Sequence, residues 1–140
     1  MRTLRDVMTP NPASVHASDP VEMAAQLMRD EDVGSVPVMD EGTIAGIITD
    51  RDIVIKVVAV GIDPQTAAVS EYMSSRLLTG RPDMSIQEAA RLMGREQIRR
   101  LPVVEQNRLV GIVSLADLAT GQDGQEEAED ALEEISQPAR

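Results

Sequence analysis

Hydrophobic and polar positions along the chain switch between two periods, and the switching follows the same plan twice. Residues 4–8 read as a short helical lead-in, closed by Thr9, Pro10, Asn11 and Pro12, whose prolines impose extended or turn geometry. Residues 13–15 read as a short strand. Asp19, Pro20 and Glu22 mark a helix start, with Asp19 as N-cap and Pro20 at the first helical position. Val21, Ala24, Ala25, Leu27 and Met28 then share one face of a helix running to about Glu31. Residues 36–39 and 43–49 are strand patterns joined by Asp40, Glu41 and Gly42, a hairpin signal. A second helix is predicted from Asp50 to about Val60, ended by Gly61. Its Ile53, Val54, Ile55, Val57, Val58 and Val60 make it apolar on three sides, which implies burial against more than its own repeat.

The plan recurs at an offset of 65 without a gap. Met8 matches Met73, Leu27 and Met28 match Leu92 and Met93, Pro37 matches Pro102, Gly46 matches Gly111, and Asp52 matches Asp117. The second copy predicts elements at 70–73, 77–79, 85–96, 100–104 and 108–114, then a shorter helix from Leu115. Ser85 and Glu88 suit a capping box, and Glu105, Gln106 and Asn107 replace the acidic-glycine turn. The fold class is therefore α/β (α+β), two β-α-β-β-α repeats over 1–62 and 63–120, followed by a tail, 121–140. One repeat leaves a sheet or helix face uncovered, so the copies are expected to pack by pseudo-twofold symmetry, with a ligand cleft between them.

Composition narrows the function classes. In 140 residues aromatic content is 1%, Tyr72 alone, so the core is built from aliphatic side chains and methionine. The net charge is −11, of which −6 falls in the tail, and such a balance disfavours nucleic acid and anionic membranes as partners. The absence of cysteine removes disulfides and thiolate metal sites, and the N-terminus has no apolar signal region, so a cytoplasmic location is expected. Within the tail, Ala128, Ala131, Leu132 and Ile135 share a helical face; the tail reads either as a solvated, disordered end or as partly helical against a partner.

Candidate chemistry concentrates at two matching corners, where a glycine-led strand ends in a hydroxyl and an aspartate follows three places on: Thr49 to Asp52, and Ser114 to Asp117. Such a hydroxyl sits beside unpaired helix N–H groups that favour an anion, and the carboxylate can accept ribose hydroxyls. The same spacing also makes a capping box that binds nothing. Arg51, Arg99 and Arg100 are candidate phosphate partners. Asp50 with Asp52 could hold Mg²⁺ only with help from ligand phosphates. His16 has no second histidine or cysteine to share a metal, and neither a nucleophile-base pair nor a Gly-rich phosphate loop is present, so no catalysis is expected.

Four phrases carry a family resemblance over residues 1 to about 120: Asp6-Val7-Met8-Thr9, Val36-Pro37-Val38, Thr49-Asp50-Arg51-Asp52, and Ile98-Arg99-Arg100-Leu101-Pro102-Val103. With the duplicated plan, they make the chain resemble the CBS-domain pair, or Bateman module, and in particular the small stand-alone bacterial proteins of that kind. The resemblance implies two clefts that in many members bind AMP, ADP, ATP or S-adenosylmethionine, and a disc-like homodimer that signals to an effector protein. It implies ribose and phosphate contacts from Thr49, Asp52, Ser114 and Asp117. An adenine wall would come from backbone and aliphatic groups of Pro12 and Ala13 with Val36 and Pro37, and of Leu77 and Leu78 with Leu101 and Pro102. Gly34 and Ser35 stand where the second copy has Arg99 and Arg100, while Leu115 and Ala116 replace Asp50 and Arg51, so the second corner is expected to be the stronger site. The alternative is a ligand-free structural or interaction dimer whose corners are only caps.

Overall fold

The computed structural model describes residues 2–119 together with Ala131, Leu132 and Ile135. The expectation for the tail falls outside these residues, except that the three named are helical and Ala131 is buried. In chain order the elements are α1 (Leu4–Val7), β1 (Thr9–Pro10), β2 (Val15–His16), α2 (Val21–Glu31), β3 (Ser35–Asp40), β4 (Thr43–Thr49), α3 (Asp50–Ile53), α4 (Ile86–Glu96), β5 (Arg100–Glu105), β6 (Arg108–Ser114) and α5 (Leu115–Leu118). A π-helical turn, Val54–Val58, extends α3, and a 3₁₀ turn spans Val69–Glu71. The mixed α/β class read from the sequence is the class observed.

Two compact units form: Ala13–Leu77, and the chain up to Pro12 together with the chain from Leu78 onward. In the first, β2, β3 and β4 make one sheet in that order, with β2 parallel to β3 and β3 antiparallel to β4. Its core joins Val15, Val36, Val38 and Ile48 of the sheet to Val21, Ala24 and Met28 of α2 and to Ile53 and Val57. In the second, the sheet order is β1-β6-β5, and Leu101, Val103 and Val113 pack with Leu4, Ile86, Ala90, Met93 and Leu118.

The hairpins are copies down to their irregularities. Both turn through two residues of positive φ, Glu41 (51°) and Gly42 (81°), then Gln106 (52°) and Asn107 (65°), the geometry that matches strand twist. Both carry a register shift at the same place, between Val38 and Met39 and between Val103 and Val104. β2 reaches only Val38 and Met39 of β3, so the buried Pro37 has a strand neighbour on one side and its missing N–H breaks no ladder.

Each unit is completed by the lead-in that precedes the other copy. Ser74 bonds Ile47 of β4 in both directions (3.1 and 2.8 Å), and Thr9 of β1 pairs with Ile112 of β6. Val69 N–H donates to the Asp19 carbonyl and Leu4 N–H to the Met84 carbonyl, again one residue pair copied at 65. This exchange explains the strand glycines. A Cβ at Gly46 would strike the Ser74 carbonyl oxygen and lie 2.9 Å from Met73 Sδ; one at Gly111 would strike Met8 Sδ and lie 3.1 Å from the Thr9 oxygen.

Several local expectations are corrected. The strand expected at 13–15 is Val15–His16, and the strand expected at 77–79 reduces to a single bridge between Gly80 and Val103. Asp19 does not cap α2: its Oδ2 accepts from His16 N–H (2.8 Å), Pro20 is the N-cap, and Val21 and Glu22 N–H groups donate to the Ala67 and Pro64 carbonyls. Backbone supplied by the exchanged segment replaces the side-chain cap. Ser85 Oγ does cap α4, accepting from Glu88 N–H at 3.1 Å, while the Glu88 carboxylate lies 3.9 Å from Arg81 Nη2. The helix predicted over 50–60 is regular only to Ile53, after which Ala59 N–H reaches the Val54 carbonyl five residues back. Ile53 and Val57 are buried, whereas Val54, Ile55, Val58 and Val60 are 45–67% exposed, so the expected cover of this face is not supplied by the described residues.

Candidate functional site

The two corners are formed where β4 meets α3 and where β6 meets α5. At the first, Thr49 N–H donates to Asp52 Oδ2 (2.9 Å) and Asp52 N–H to Thr49 Oγ1 (3.0 Å). At the second, Ser114 N–H donates to Asp117 Oδ2 (2.8 Å) and Asp117 N–H to Ser114 Oγ (3.2 Å). Both are complete capping boxes, each aspartate half-buried. A third box, Thr3 with Asp6, has the same reciprocal form at α1, so the T-x-x-D spacing alone does not mark a ligand corner. The same spacing stands in the sequence at Thr3 and Asp6.

What faces each box across the hairpin distinguishes them. Ser35 is registered opposite Thr49, and Arg100 opposite Ser114. Directly paired residues of antiparallel strands share a face, so each hydroxyl residue has a polar neighbour on the next strand. Ser35 Oγ is buried without a hydrogen-bond partner, a state native structures seldom leave unexplained. One step on, Asp50 N–H donates to the Gly34 carbonyl (2.9 Å) and Leu115 N–H to that of Arg99 (3.3 Å). A Cβ at Gly34 would lie 3.1 Å from Asp50 Oδ2, so the small residue leaves room for that carboxylate. Among the described residues no carboxylate pairs with Arg51, Arg99 or Arg100, although acids outnumber bases 24 to 13 in the chain.

The structure therefore groups the candidate residues by unit. Ala13, Val36, Pro37, Thr49, Asp50, Arg51, Asp52 and Leu77 belong to one, and Pro12, Leu78, Arg99, Arg100, Leu101, Pro102, Ser114 and Asp117 to the other. Val36 and Leu101 are side chains of the two cores, and Pro37 and Pro102 are buried beside them, whereas Ala13, Asp50, Arg51 and Arg99 are exposed. Two residues outside the expected set join the first corner. Ser35 becomes visible once the hairpin register is known. Lys56, whose Nζ is 3.1 Å from Asp52 Oδ1, was marked by its i, i+4 spacing from the aspartate.

The family model described as CBS domain matches the chain twice, over residues 4–59 and 69–123. The chain belongs to the CBS-domain family, as a tandem pair. Among curated relatives, the CBS domain-containing protein YhcV of Bacillus subtilis (strain 168) is 47% identical over 97% of this chain and 96% of its own length. Hypoxic response protein 1 of Mycobacterium tuberculosis is 42% identical over 85% and 84% of the two chains. Its solved structure, with two coordinated zinc ions, superimposes with a TM-score of 0.78 at 41% identity, covering 84% of this chain and 97% of that one. CBSX2 in complex with AMP follows at 0.74 and 28%, and the MJ0100 CBS pair with 5′-methylthioadenosine and S-adenosyl-L-methionine at 0.75 and 27%, each covering 85% of this chain and 94% of the other.

The chain has one histidine and no cysteine, and no group of three or more His, Asp or Glu residues that could hold a metal ion stands together among the described residues. Nor is any described helix long and apolar enough to cross a membrane.

Proposed function

We propose that this chain is a non-catalytic, cytoplasmic regulatory module whose two corners take an adenosine-containing ligand, AMP, ADP, ATP or S-adenosylmethionine, and whose ligand state is read by a partner protein. The observation that carries this reading is the polar neighbour opposite each capping hydroxyl: the partnerless Ser35 Oγ beside Thr49, and Arg100 beside Ser114. A buried hydroxyl without a partner costs roughly 1–3 kcal/mol, so the first corner carries an unmet polar group next to its cap. The guanidinium of Arg100, with Arg99 adjacent, suits a phosphate or carboxylate. The adenosine compounds held by two structural relatives support the ligand class. Mg²⁺ would enter only with a polyphosphate, through Asp50.

The apolar side chains of Val54, Ile55, Val58 and Val60 are the face through which we propose that two copies pair. Val58→Glu is expected to convert a dimer to a monomer in sedimentation equilibrium.

A second reading, a ligand-free interaction dimer, is favoured by one feature: both boxes already satisfy their hydroxyl and carboxylate internally, as the Thr3–Asp6 box does. A thermal-shift screen with AMP, ATP, NADH and S-adenosylmethionine separates the two. Specific binding at a hundred times Kd raises stability by about 2.7 kcal/mol; no shift at millimolar ligand leaves the second reading.

A further inference from the structure

Lys56 is the one lysine of the chain, and it lies on the first corner. Its Nζ is 3.1 Å from Asp52 Oδ1 and donates to the Tyr72 carbonyl at 3.4 Å. Asp52 Oδ2 already accepts from Thr49 N–H, so both carboxylate oxygens are engaged from within the same unit. The pair is unequal: the Asp52 side chain is 16% exposed and that of Lys56 48%, so the ammonium can swing into water while the carboxylate stays. In the second copy the position matching Lys56 is Gly121.

We infer that Lys56 is a displaceable occupant of the first corner: a ribose that hydrogen-bonds Asp52 Oδ1 must turn the ammonium out. The inference rests on the proposed reading of the corners as adenosine sites. Occupancy by Lys56 weakens the first corner by the worth of a part-exposed ion pair, about two- to fivefold in affinity. It also couples the corner to the exchanged segment, because Tyr72 lies two residues before Ser74, which bonds Ile47 of β4.

The single lysine makes its own reporter. The full chain is treated with an acetylating N-hydroxysuccinimide ester, the Lys56 peptide is followed by mass spectrometry, and calorimetry is run on the same samples. Adenosine is the probe, since an uncharged ligand does not respond to the lysine charge itself. Saturating adenosine is expected to speed Lys56 acetylation about two- to fivefold. Asp52→Asn, which keeps the cap acceptor and removes the charge, gives the faster rate without adenosine and no further response. In an Asp117→Ala background, Lys56→Met tightens adenosine by the same factor. Adenosine that binds by calorimetry yet slows acetylation or leaves it unchanged overturns the displacement and spares the site reading. An unchanged rate in Asp52→Asn overturns the tie itself. No heat from adenosine or AMP overturns the site reading, and the displacement with it.

Discussion

The two corners share a backbone and differ in everything that faces it. The capping distances agree within a few tenths of an ångström, and the strand registers, the bulges and the left-handed residues ending the long helices, Asp32 and Gln97, recur at the same offset. Around this frame the first corner has Ser35, Asp50, Arg51 and Lys56, and the second has Arg100, Leu115 and Ala116. The first is a charged corner whose aspartate meets Lys56. The second has Arg100 registered opposite its hydroxyl residue on the next strand. Duplication has kept the hydrogen bonds that hold the corner's shape and varied the side chains that a ligand would meet, so shape is common property and affinity is local.

That contrast can be broken in four ways. The largest effect is expected at the strand glycines. Gly46→Ala drives a Cβ into a backbone oxygen, which cannot yield, and costs about 3 kcal/mol in urea denaturation. Gly111→Ala meets mainly the flexible end of Met8 and costs about 1 kcal/mol. Equal costs would mean that the two lead-ins are held alike. Next, Asp117→Ala lowers AMP affinity roughly thirtyfold by calorimetry, while Asp52→Ala leaves the tighter site untouched; equal losses would erase the asymmetry. Arg100→Gln is expected to weaken AMP about tenfold and adenosine little, which assigns the guanidinium to the phosphate. The smallest effects belong to the caps. Thr3→Ala, Thr49→Ala and Ser114→Ala each lower stability by about 1 kcal/mol, seen as a modest fall in Tm, but only the last two alter ligand binding.

Much of the fold was legible because strand and helix periods are local. The hairpins, their turns and the α2 and α4 faces need only neighbours in sequence, and the repeat pairs them off by inspection. The corners were legible too, together with the ambiguity between capping and binding that the geometry preserves. Three features were not legible, each for a physical reason. The exchange of lead-ins was hidden because two copies of one strand plan offer sheet edges of the same kind, so no pattern says which edge a lead-in joins. Asp19 looks like an N-cap to any local rule, but carbonyls of Ala67 and Pro64, more than forty residues on, do that work. The widened turn after Ile53 leaves no trace in apolar residues that suit either helix.

The exchange also sets a timetable for folding during synthesis. Every strand of the Ala13–Leu77 sheet, including the Ser74 edge, has left the ribosome once Leu77 has, so that unit can close while the chain is still growing. The other unit starts first and finishes last. Thr9 must wait for Ile112, roughly a hundred residues later, and a contact of such long range is slow to form. Until then, β1 is a strand without a sheet.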